Sequence, residues 1–169
     1  MECGPTARSG KDYPLSKFLK ASVKRLGEAP TANVMPRKTG RMSKLLDTTV
    51  LVDVIRKEEA ALDYIDSTRK AESSLPLSIV TKMELIVGCR DKAEVQKMEK
   101  LLADYDVLDV TPLISRKAYE LIVRFSKSHG MAIPDALITA TALVENAVLV
   151  TSNVRHFSMI DGLRLEKPY

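Results

Sequence analysis

The 169-residue sequence predicts an α/β fold, an α/β/α sandwich around a mostly parallel sheet. Three observations lead there. Short β-type apolar runs alternate with amphipathic helical stretches from Met42 onward, the pattern of a parallel sheet covered by helices on both faces. Hydrophobic residues make up 45% and charged residues 28%, enough apolar material for a packed core. Polar residues, several of them acidic, stand where these runs end, which is where open α/β sheets bind ligands.

The elements follow in order. Lys44–Asp47 reads as a short buried strand ending in an acid. Thr49–Arg56 and Glu59–Lys70 read as helices, and Leu75–Val80 as a second strand with Pro76 near its start. Thr81–Cys89 and Asp91–Ala103 are helical stretches broken around Gly88–Arg90. Tyr105–Val110 is a third strand. Pro112–Ser128 is a long amphipathic helix, with proline at its start and Gly130 beyond its end. Pro134–Asn146 is apolar almost all round, hence buried. Ala147–Thr151 is a fourth strand and Leu163–Leu165 a fifth.

Residues 1–41 differ in character. They hold nine Lys/Arg against three Asp/Glu, a charge of +6, whereas residues 42–169 hold 17 against 19, a charge of −2. The basic pI therefore says little about the folded part. Four of the seven glycines and four of the eight prolines lie in this stretch. Its one periodic segment, Leu15 to Ala29, aligns Leu15, Phe18, Leu19, Val23 and Leu26 on one helical face among basic residues. The expected organisation is a flexible basic extension over 1–41, with Met42 as an alternative start, and one folded domain over 42–169. A basic amphipathic helix that touches membrane, RNA or a partner is the other reading of the segment. The extension is expected to be dispensable for folding and chemistry.

Several function classes drop out. No run of eighteen apolar residues exists, so no spanning helix is expected. Cys3 and Cys89 make neither a C-x-x-C nor a disulfide framework, which suits a reducing, cytoplasmic setting. There is no G-x-x-x-x-G-K-[ST], G-x-G-x-x-G or G-x-S-x-G. Asp47-Thr48-Thr49-Val50 lacks the second acid of a dehalogenase-type phosphatase, and the paired early acids of a receiver domain are missing. His129 and His156 are the only histidines, and a lone His156 on a turn reads as structural or exposed.

Four candidate site residues remain: Asp47 after the first strand, Glu84 in the helix after the second, Asp135 opening the buried helix, and Asn153 after the fourth strand. Each has a local alternative. Asp47 would cap the following helix. Thr81-Lys82-Met83-Glu84 fits a capping box, in which Glu84 bonds back to Thr81. Asp135 suits a first helical turn, and Asn153 a cap before Phe157. Capping accounts poorly for all four at equivalent ends of successive elements. Grouped carboxylates repel one another unless a cation compensates. Oxygen donors favour Mg²⁺ or Mn²⁺, an ion that activates water and stabilises charge on a phosphate. That chemistry is phosphodiester hydrolysis.

The ordered blocks Leu45–Asp53, Glu84–Gly88, Ile133–Ala142 and Val150–Phe157 resemble PIN domains, and within them the VapC-like toxins of type II toxin–antitoxin pairs. The resemblance covers residues 42–169. It implies a Mg²⁺- or Mn²⁺-dependent endoribonuclease, an RNA substrate, a cognate antitoxin and a homodimer. By position, Asp47, Glu84 and Asp135 match the family's acidic ligands. Asn153 falls where many PIN nucleases carry a further Asp, which leaves a second metal position open. Asp53, six residues beyond Asp47 along the following helix, is a weaker ligand candidate. Thr48 and Thr151 would hydrogen-bond the carboxylates or the scissile phosphate, and Arg155 would contact the RNA backbone. A PIN nuclease of RNA processing without an antitoxin, and an inactive RNA-binding PIN module, are the alternatives.

Overall fold

The computed structural model describes residues 43–72 and 75–169. The 1–41 extension and its Leu15–Ala29 segment lie outside the described residues. The strands are β1 Lys44–Leu46, β2 Pro76–Ser78, β3 Asp106–Leu108, β4 Val148–Val150 and β5 Arg164–Glu166. The helices are α1 Thr48–Arg56, α2 Glu59–Ala71, α3 Ile79–Val87, α4 Lys92–Leu102, α5 Pro112–Phe125, α6 Ile133–Val144 and the short α7 Val154–Phe157.

All strand pairs are parallel, in the order β3-β2-β1-β4-β5. From β1 the chain winds outward through β2 to β3, then returns to the other side of β1 for β4 and β5. The winding reverses between β1 and β4, so their carboxyl ends frame the crevice of a doubly wound sheet. Alternate side chains feed two separate cores. Leu46, Leu77 and Val150 face α1, α2 and α4, where they pack with Val50, Val54, Ile65 and Met98. Leu45 and Leu149 face α5 and α6, packing with Ile114, Leu121, Phe125, Ile138 and Phe157. The α/β/α sandwich expected from the sequence is the fold observed.

Element boundaries shift for identifiable reasons. The second strand is shorter than Leu75–Val80 because Ser78 caps a helix that begins at Ile79, its hydroxyl accepting from the Val80 N–H. Pro76 is tolerated as a strand's first residue. β3 keeps only three paired residues, and Thr111 then caps α5 by accepting from the Ile114 N–H at 3.2 Å. α6 starts one residue earlier than expected, at Ile133 with Pro134 in its first turn, and its C-terminal end turns through Asn146 in the left-handed region at φ 51°. Among the described residues no helix is long and apolar enough to cross a membrane.

A polar tie closes the β5 edge. The Lys44 ammonium donates to Glu166 at 2.7 Å, and the Tyr64 hydroxyl donates to the same carboxylate at 2.6 Å. These bonds join β1, β5 and α2 where the apolar layer runs out.

Candidate active site

Asp47 is the first residue after β1, and its position is fixed from both sides. Its N–H donates to the Val150 carbonyl at 2.9 Å, tying it to β4. Its extended backbone (φ −77°, ψ 157°) makes it the N-cap of α1, accepting from the Thr48 N–H at 2.8 Å. Its other oxygen accepts from the Thr49 and Thr151 hydroxyls at 2.8 and 2.7 Å. Asp47 is thus a cap and a site residue at once. It is 4% exposed, and three donors make burial of its carboxylate tolerable.

Glu84 enters from α3. The capping-box alternative does not hold, because Ser78 is the N-cap and Thr81 lies inside the helix. Glu84 instead accepts from the Thr48 hydroxyl at 2.5 Å across the cleft. An acid does close a helix start elsewhere. Asp91 caps α4 by accepting from the Glu94 N–H, and the buried Glu94 carboxylate accepts from the Arg90 N–H and guanidinium. Those hydrogen bonds hold Glu94 below the usual carboxylate range.

Asp135 sits in the first turn of α6, where His156 of α7 meets it with Nε2 3.1 Å from Oδ2. Asn153 precedes α7 and its side chain makes no capping hydrogen bond. The cap reading therefore has no support here. Its amide is exposed, and its backbone N–H donates to the Thr151 hydroxyl at 3.0 Å.

The four candidates line one cleft of about 740 Å³ at the carboxyl ends of β1 and β4, together with Thr48, Asp53, Ser152 and Phe157. The donor set is oxygen-rich. Among the described residues no three carboxylate, histidine or cysteine groups converge into a ready-made metal cage. The acids face each other across the cleft, which shows in Glu84. Burial pushes its carboxyl up, the Thr48 hydrogen bond opposes this, and the charges of Asp135 and Asp47 add to the rise.

Three participants lie outside the site roles read from the sequence. Thr49 bonds Asp47 and accepts from the Ser152 N–H. His156 reads as structural or exposed, yet it is half-buried against Asp135 and edge-on to Phe157. Tyr169 donates to Asp53 at 2.6 Å on the rim. An Asp/His pair 21 residues apart carries no local signal.

A raised carboxyl pKa has a definite consequence for stability. The fold favours protonated Glu84, so its favourable contribution is complete below the ordinary glutamate range and is lost as pH rises through the elevated value. Glu84→Gln is therefore expected to raise the melting temperature of the metal-free protein at neutral pH. The gain should vanish near about pH 4, where the glutamate is itself largely neutral. Thermal melts with EDTA at both pH values check this.

The match to known proteins agrees with this geometry. The PIN domain family model matches residues 44–163, and the chain belongs to that family. Within it, the chain is similar to the VapC ribonucleases. Ribonuclease VapC10 of Mycobacterium tuberculosis is 39% identical over 121 residues, covering 71% of this chain and 90% of its own. Ribonuclease VapC19 of the same organism is 36% identical over 127 residues, covering 75% and 99%. In three dimensions the chain resembles VapBC2 from Rickettsia felis, solved bound to a DNA fragment from its promoter. That match has a TM-score of 0.65 and 26% identity, over 74% of this chain and 98% of that one.

Proposed function

We propose that this chain is the ribonuclease toxin of a VapBC-type toxin–antitoxin pair, an endoribonuclease that uses Mg²⁺ or Mn²⁺. The observation that carries the reading is that Asp47, Glu84, Asp135 and Asn153 all line the switch-point cleft of a PIN fold. The names of VapC10 and VapC19 support RNA as the substrate. Structural neighbours that are toxin–antitoxin complexes support an antitoxin partner.

The donor set fits a hard cation. Every candidate offers oxygen, and the carboxylates repel one another in the absence of compensating charge. Their spread across the cleft suits Mg²⁺, which is commonly held through one or two carboxylates and retained waters. Asp47, Glu84 and Asp135 would hold the ion, which supplies an activated water and charge stabilisation at the phosphate. Thr49 and Thr151 orient one Asp47 oxygen and the Thr48 N–H the other, while the Thr48 hydroxyl orients Glu84. The exposed Asn153 amide presents one neutral acceptor to a water or to substrate. His156 fixes Asp135 on the far wall. Exposed Arg155, beside this turn, would contact the RNA backbone. A homodimer and a cytoplasmic location complete the reading.

The toxin assignment is tested in cells. Induced expression of the chain is expected to arrest growth, and co-expression of the small adjacent frame encoding its antitoxin to restore it. Unimpaired growth on expression of an active nuclease would favour the RNA-processing alternative.

A further inference from the structure

Tyr169 is the residue whose placement the site chemistry leaves unused. Its hydroxyl donates to Asp53 Oδ2 at 2.6 Å, and Ser152 interacts with the same hydroxyl. Asp53 and Ser152 both line the cleft, one from α1 and the other next to Asn153. The phenol is thereby anchored at the rim while the residue stays 38% exposed. Inside the cleft the one aromatic side chain among the lining residues, Phe157, is 2% exposed and committed to the core.

Polynucleotide affinity at this mouth faces an electrostatic difficulty. Asp47, Asp53, Glu58, Glu84 and Asp135 line the cleft against one cationic lining residue, Arg56, so phosphates meet a net repulsion there. A base–aromatic stack supplies affinity that does not depend on charge and tolerates any base, since every base has a π-face. A tyrosine has few rotatable bonds, and an anchored hydroxyl leaves its ring little orientational entropy to lose on binding.

Resting on the ribonuclease reading, we propose that the Tyr169 ring is a stacking platform for an RNA base adjoining the scissile phosphate, held in position by Asp53. The platform would contribute to substrate binding and leave the chemical step alone. Tyr169→Ala should raise KM about thirty-fold with kcat little changed, the middle of the range for one stacked base. Tyr169→Phe keeps the ring and should lose far less.

The chain has no tryptophan, so Tyr169→Trp places a single indole at the rim. The full-length variant is titrated, in Mg²⁺, with an end-labelled 2′-O-methyl oligonucleotide that resists cleavage, and with a matched oligonucleotide carrying abasic positions. Label anisotropy reports binding and indole emission reports stacking. Quenching by the intact oligonucleotide and much less by the abasic one is the expected result. Anisotropy that shows binding while indole emission is unchanged would overturn the proposal and leave the nuclease reading standing. So would a Tyr169→Ala variant with a lowered melting temperature but unaltered oligonucleotide affinity, the behaviour of a purely structural latch. Absence of both RNA binding and cleavage in the wild-type chain would remove the ribonuclease reading itself, and the platform with it.

Discussion

Asp47→Asn is expected to reduce RNA cleavage by more than about 100-fold while leaving the fold intact. Loss of groups that merely support a metal's ligands already costs about 10–100-fold, and Asp47 is placed to be a ligand itself. The fold should survive because the amide reproduces the local bonding. Its oxygen can accept from the Thr48 N–H, and its NH₂ can donate to the Thr49 and Thr151 hydroxyls that now donate to Asp47. What is lost is one negative charge at the junction of β1 and β4. Circular dichroism and a melting curve establish the fold, and a cleavage time course gives the rate. An Asp47→Asn enzyme within a few-fold of wild type would take Asp47 out of the reaction.

The largest expected effect on stability is at Phe157. Its ring is 2% exposed and packs in the α5–α6 core layer, edge-on to His156 at 5.1 Å. Truncation of a buried phenylalanine to alanine costs about 3–5 kcal/mol through lost transfer energy and the cavity left behind. That is a large share of the roughly 5–15 kcal/mol that holds a typical domain together. Phe157→Ala should therefore be poorly stable, and its activity should fall as well. The same short helix carries His156 against Asp135 and begins at Asn153. Urea unfolding of Phe157→Ala measures the cost, and Phe157→Leu, which refills much of the volume, should recover most of it. A loss below about 1 kcal/mol for the alanine variant would mean that the site collapses freely around the gap.

The sequence revealed the sheet because its strand ends are marked by chemistry as well as hydropathy. Asp47 stands at the point where an apolar run stops, and Thr151-Ser152-Asn153 at another. Strand lengths were overestimated because Leu75, Tyr105 and Ala147 are buried without belonging to strands, and burial looks the same in sequence whether or not a residue is paired. Glu84 was ambiguous for a different reason. Thr81 and Glu84 satisfy a capping-box spacing, and only the position of Ser78 decides that the helix has already begun. The contacts of His156 with Asp135 and of Tyr169 with Asp53 join residues 21 and 116 positions apart. Neither is encoded locally, because both arise where the fold brings distant segments together at one edge of the sheet.

The central claim is that divalent metal at this acidic cleft drives RNA hydrolysis. It is tested most directly by mapping cleavage of a defined RNA by the purified protein across a Mg²⁺ titration, with EDTA and Asp47→Asn as paired controls. The account predicts discrete cuts that appear with Mg²⁺, vanish in EDTA and are absent from the variant. Cuts of equal rate in EDTA, or an equally active Asp47→Asn protein, would contradict it.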